Sequence, residues 1–216
     1  MSTKITYATK SPDTKTDLLQ KRGIFFDSVH KIQNQFGSYH PDMVMKLIGM
    51  YCTSMYGSSL WEYYSDEFQK LTRSWNTVTK MVYKLPYATH TKFIESLCPL
   101  PHLGSVLEGR YVGFLESLDQ SSKPFLKLLF CSCKYDQSSI TGRNLQLLMT
   151  THQKSDLQEL ISFRNSVMKR RRYQLAEEET WKICSIKELS LAKAGHVSLK
   201  FDQDLAQEIM DYLCTS

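Results

Sequence analysis

Residues 51–90 read YCTSMYGSSLWEYYSDEFQKLTRSWNTVTKMVYKLPYATH. Tyr56-Gly57-Ser58-Ser59 is turn chemistry, and it delivers Trp61. From Ser65 the pattern changes. Phe68, Leu71, Trp75, Val78, Val82 and Leu85 recur at alternating steps of three and four, so they share one helical face. Lys70, Arg73, Lys80 and Lys84 repeat those steps two residues later. Two residues turn a helix by about 200°, which sets the cations opposite the apolar face. The spacing predicts a helix over 65–84 that buries one side and turns a basic stripe outward.

Upstream, Ser11-Pro12-Asp13 is a helix start: a capping serine, proline at the first position and an acid in the first turn. Leu18, Phe25, Val29, Ile32 and Phe36 mark the buried side of a helix that ends at Gly37. His40-Pro41-Asp42 opens the next helix, with Val44, Leu47, Ile48, Tyr51 and Met55 inward. These segments predict a three-helix unit over residues 11–85.

Downstream, residues 86–216 predict a bundle of shorter helices, giving an all-α chain in two parts. Thr89-His90-Thr91 starts a short helix that Cys98-Pro99-Leu100-Pro101 breaks. Leu103, Leu107, Tyr111, Phe114 and Leu118 define a longer one. Phe125 to Cys133 is apolar enough to predict a buried helix. Leu145, Leu148 and Met149 face inward on the next, and a further helix spans 155–169. Residues 177–193 and 204–214 predict two more helices, and Val197, Leu199 and Phe201 alternate like a short strand.

Composition sets wider bounds. The chain has 216 residues, 42% hydrophobic and 23% charged, as in an ordinary globular protein. Its net charge of +5 permits a polyanionic partner without demanding one. Met1 to Thr16 is polar and has no signal-peptide core. No apolar run is long enough to cross a membrane. Six sparse cysteines fit a reducing interior, so an intracellular location, nucleus or cytoplasm, is expected.

Catalytic patterns are missing. No Asp-Asp pair occurs, the acids are scattered, and the nine glycines form no phosphate loop. Cys98, His102, Cys131 and Cys133 are the nearest approach to a zinc set, but one residue between the last two cysteines is too tight. A cysteine with a distant histidine is expected from chance in a chain with six of each. No catalytic residue, metal or cofactor is therefore expected.

Binding chemistry is better represented. The stripe from Lys70 to Lys84 covers about four turns, roughly 21 Å, enough to meet several phosphates. No acid interrupts it between Phe68 and Leu85. Lys169, Arg170, Arg171 and Arg172 form a second basic run, read either as a nucleic-acid contact or import signal or as a helix end whose cations suit the dipole. An ordinary solvated helix face accounts for the first stripe equally well.

The same residues resemble the region downstream of the catalytic core in non-LTR (LINE-type) retrotransposon reverse transcriptases. The matching pieces are Tyr51 to Trp61, Arg73-Ser74-Trp75-Asn76, and Leu85-Pro86-Tyr87-Ala88-Thr89-His90. Leu18 to Phe36, with Lys21-Arg22-Gly23, and Arg110-Tyr111-Val112-Gly113-Phe114 also match. The likeness covers residues 15–150. It implies a helical thumb, which in that family grips the template–primer duplex, and so a partner that is RNA or an RNA–DNA duplex. It does not imply catalysis, because the family's Asp-Asp strand turn, endonuclease motifs and zinc knuckle have no counterpart in this sequence. The expected protein is a thumb and post-thumb piece that holds nucleic-acid backbone. The alternative is a helical module, or an inert relic, that meets a protein partner or a second copy through exposed apolar surface.

Overall fold

The computed structural model describes residues 14–98, 100–164 and 188. Within them the chain is all-helical and contains no strand. The helices are α1 (Thr14–Phe36), α2 (Pro41–Tyr51), α3 (Asp66–Val82), α4 (Thr91–Leu97), α5 (Leu103–Asp119), α6 (Pro124–Lys134), α7 (Ile140–His152) and α8 (Leu157–Ser162). A 3-10 turn, Ser58–Leu60, lies between α2 and α3. None of the described helices is long and apolar enough to cross a membrane. The Ser11-Pro12 cap, the Lys169–Arg172 run, the helices expected over 177–193 and 204–214 and the strand over 197–201 lie outside the described residues.

Local chemistry sets the helix starts. The His40 ring nitrogen accepts the Asp42 N–H at 3.3 Å, and Pro41 occupies the first turn of α2. Ser65 Oγ accepts the Phe68 N–H at 3.3 Å at the start of α3, a contact worth about 1 kcal/mol. His102 Nδ1 accepts the Gly104 N–H at 3.1 Å and starts α5.

α1, α2 and α3 pack on one another. Leu18, Phe25 and Val29 of α1 meet Phe68, Leu71, Trp75, Val78 and Val82 of α3 in a single buried cluster. That cluster continues through Leu103, Leu107 and Tyr111 of α5 to Leu145 and Leu148 of α7 and Leu160 of α8. The predicted stripe of α3 is buried, with Leu85 partly so. Tyr51 departs from expectation: it closes α2 facing solvent, 66% exposed, and Met45 takes an inward place instead.

α6 also departs from expectation. It forms where predicted, but only Phe130 is buried in it. Phe125 and Leu128 are 73% and 69% exposed, and Leu129 is exposed too. Apolar composition makes a face that favours burial. It does not supply a neighbour: among the described residues the main packing partners of α6 are α5 and α7.

The segment between α2 and α3 is held by side chains from elsewhere. Gly57 has φ 82°, a left-handed value that suits glycine. Trp61 is buried, and its indole N–H donates to Asp17 Oδ2 of α1 at 2.6 Å. Tyr63 stacks on Phe68 at 4.3 Å and donates its hydroxyl to the Leu107 carbonyl at 3.0 Å. Asn144, fully buried on α7, closes the arrangement. Its Nδ2 donates to the Trp61 carbonyl at 2.7 Å, and its Oδ1 accepts the Tyr63 N–H at 2.9 Å.

Candidate nucleic-acid interface

α3 carries the basic residues, and the geometry of its end decides where each one points. The helix stops at Val82, two residues before the expected end. Lys84 N–H donates to the Met81 carbonyl at 3.3 Å, and Leu85 N–H reaches back to the Lys80 carbonyl at 2.8 Å. This bond pattern is a Schellman end. It places Lys84 in the left-handed region, φ 53°. Leu85 then folds onto the core and Pro86 blocks continuation.

Glycine is the usual residue at the Lys84 position, because a Cβ there is strained by about 1 kcal/mol. Lys84→Gly is therefore expected to stabilise the chain by about 0.5–1 kcal/mol. Urea titration checks this through an upward shift of the midpoint at unchanged slope.

The four cations are consequently not equivalent. Lys70 is exposed and sits 2.9 Å from the Glu67 carboxylate one turn back. The bond from Lys70 holds the Glu67 carboxyl below its ordinary range. Arg73 is exposed on the next turn. Lys80 is half-buried: its ammonium donates to the Tyr87 carbonyl and lies 5.3 Å from the centre of the Tyr87 ring. Lys80 thus braces the turn after α3, and Lys84 lies past the helix, off its axis. The stripe divides into an outward pair, Lys70 and Arg73, and a pair associated with the helix end. Lys169, Arg170, Arg171 and Arg172 fall outside the described residues.

The fold adds two cations from α1. Lys15 and Arg22 both act electrostatically on Glu67, as Lys70 does. Arg22 is fixed: its Nε–H donates to Ser74 Oγ at 3.1 Å, and its guanidinium lies 5.9 Å from the centre of the Phe26 ring. A spacing of seven, two helical turns, was the signal in the sequence that Lys15 and Arg22 share one side of α1. Nothing local shows that this side abuts the first half of α3. The result is a seam where Lys15, Arg22 and Lys70 act on one glutamate, Glu67, with Arg73 exposed one turn further along α3.

The described cysteines differ in their surroundings. Cys52 is buried, and desolvation pushes its thiol up to about 11, so it stays protonated at neutral pH. Cys98 is buried, whereas Cys131 is exposed on α6. Among the described residues no group of three or more His, Cys, Asp or Glu side chains is placed to hold a metal ion. Burial likewise raises the hydroxyls of Tyr63 and Tyr83, and pushes Tyr111 up to about 12. Each of these groups is neutral and structural. Tyr83, for example, donates to the Asp42 carboxylate.

No family model, no curated protein and no solved structure matches the chain.

Proposed function

We propose that the α1–α3 seam binds the backbone of RNA or of an RNA–DNA duplex, as a thumb-like piece of a reverse-transcriptase-type protein without polymerase chemistry of its own. The observation that carries the reading is the gathering of Lys15, Arg22 and Lys70 around one acid on two adjacent helices, with Arg73 exposed on the next turn of α3. The resemblance of residues 51–90 to the thumb region of LINE-type enzymes supports it further. Phosphates would displace Lys70 from Glu67 and meet Arg73 directly, while Arg22 stays braced on Ser74.

Binding to an RNA–DNA hybrid at low and high salt tests this. The parent is expected to lose affinity steeply as salt rises, because each phosphate neutralised releases counterions. Lys70→Glu with Arg73→Glu should weaken binding by about 100-fold or more at low salt and reduce the log–log salt slope by about 2. Lys80→Glu with Lys84→Glu should do less, because Lys80 is spent on Tyr87. A Lys70/Arg73/Lys80/Lys84→Glu variant that folds and binds as tightly as the parent sinks the proposal.

The exposed face of α6 favours a second reading, a helical module that meets protein or a second copy. Its signature is self-association that high salt does not weaken. Sedimentation velocity should then show a dimer in the parent and a monomer in Leu128→Glu. A monomeric parent removes the self-association form of that reading.

A further inference from the structure

A cleft of about 450 Å³ opens between α2 and α5, on the far side of Trp75 from α1. Met50, Leu100, Val106 and the buried Trp75 are among the residues that line it. Two cations, Lys46 and Arg110, belong to the same lining, and no carboxylate does. Arg110 is anchored: its Nη1–H donates to the Thr53 carbonyl, which fixes the guanidinium at the cleft and leaves other N–H groups of the fork for a ligand. Thr53 has no hydroxyl donor left for an anion, because its O–H donates to the Gly49 carbonyl at 2.6 Å.

The dimensions and lining are those of small-ligand sites, which are concave, mostly apolar and supplied with a few fixed polar groups. The chemistry selects among ligands. An apolar body is needed to cover Met50, Leu100 and Val106. A nucleobase would leave its ring donors and acceptors unpaired against those walls, a costly burial. An anionic group is favoured by the two cations, which have no counter-charge in the lining. Arg110 pairs best with a planar, two-oxygen anion.

We infer that this cleft is a binding site for an amphipathic carboxylate, an acyl or aryl body in the apolar walls with its carboxylate between Lys46 and Arg110. The site is separate from the α1–α3 seam and stands whether or not the seam binds nucleic acid.

Calorimetric titration of the full chain with dodecanoate, below the concentration at which it forms micelles, tests the site. One saturable site per chain is expected. Lys46→Glu should weaken it by about tenfold, because a cation facing the carboxylate becomes an anion. Val106→Trp places an indole in the cleft and should abolish binding while the circular dichroism stays helical. Phe125→Gln with Leu128→Gln, on the exposed face of α6, should leave binding unchanged. The inference is overturned if the parent shows no saturable site, if folded Val106→Trp binds like the parent, or if the α6 variant loses binding. Should Val106→Trp fail to fold, Lys46→Glu decides alone: unaltered affinity for dodecanoate overturns the site.

Discussion

Replacing Asn144 by alanine is expected to lower the stability of the chain by about 3–5 kcal/mol, a large fraction of the roughly 5–15 kcal/mol that a folded protein has in total. The side chain is fully buried and satisfies two main-chain groups, the Tyr63 N–H and the Trp61 carbonyl. Alanine removes both partners and leaves two buried polar groups unpaired, each at a cost of about 1–3 kcal/mol. Loss of packing around the missing amide adds to this. Asn144→Asp separates the contributions, because a carboxylate still accepts from Tyr63 but cannot donate to Trp61 and also brings charge into the core. Urea titration should show both variants with lowered midpoints. An Asn144→Ala midpoint close to that of the parent would mean that the Trp61–Tyr63 backbone finds partners elsewhere.

Trp75→Ala is expected to cost a comparable amount, about 3–5 kcal/mol. Trp75 is buried at the centre of the α3 face and stacks on Phe25 of α1 at 6.5 Å between ring centres. It also lines two spaces: the open cleft beside α5 and a pocket of about 20 Å³ lined by Asn76 and Ile94. Removing the indole enlarges both. Water can then enter from the cleft, so the loss should fall near the lower end of that range, and Trp75→Phe should recover more than half. Thermal unfolding with near-ultraviolet circular dichroism follows both the midpoint and the lost indole signal. A drop below about 1 kcal/mol would mean that the neighbouring helices collapse into the gap.

The parts of this fold legible in the sequence are those written in short-range chemistry. The stripe from Phe68 to Val82 needed only its period, and the starts at His40-Pro41 and Ser65 needed only a capping residue in the right place. The parts that were not legible depend on distant neighbours. Lys84 gives no sign of a left-handed helix end, because glycine is absent there and only Leu85 docking on the core makes the turn worthwhile. α6 is apolar enough for a core, yet burial is a property of what packs on a helix, and among the described residues its main partners are α5 and α7. Asn144 looks like any polar residue early in a helix. Its partners lie 81 and 83 positions away, beyond the reach of any pattern.

The candidate seam divides in the same way. Lys70 and Arg73 could be found from their spacing on one helix. The contribution of Arg22 depends on the packing of α1 against α3, which places its guanidinium on Ser74. The demotion of Lys80 depends on the Pro86 turn bringing the Tyr87 carbonyl within reach. Charge pattern along one helix therefore named the candidate residues but did not weight them.

The Asn144 bridge also bears on time. Closing a chain loop of 81 residues is slow and entropically costly compared with contacts inside α1 to α3. The Tyr63 N–H and the Trp61 carbonyl are therefore paired only after α7 arrives, whereas the Trp61 and Tyr63 side chains are held by α1, α3 and α5. The Tyr63 amide proton reports that docking: its exchange with solvent records how often the C-terminal helices lift away from the rest of the core.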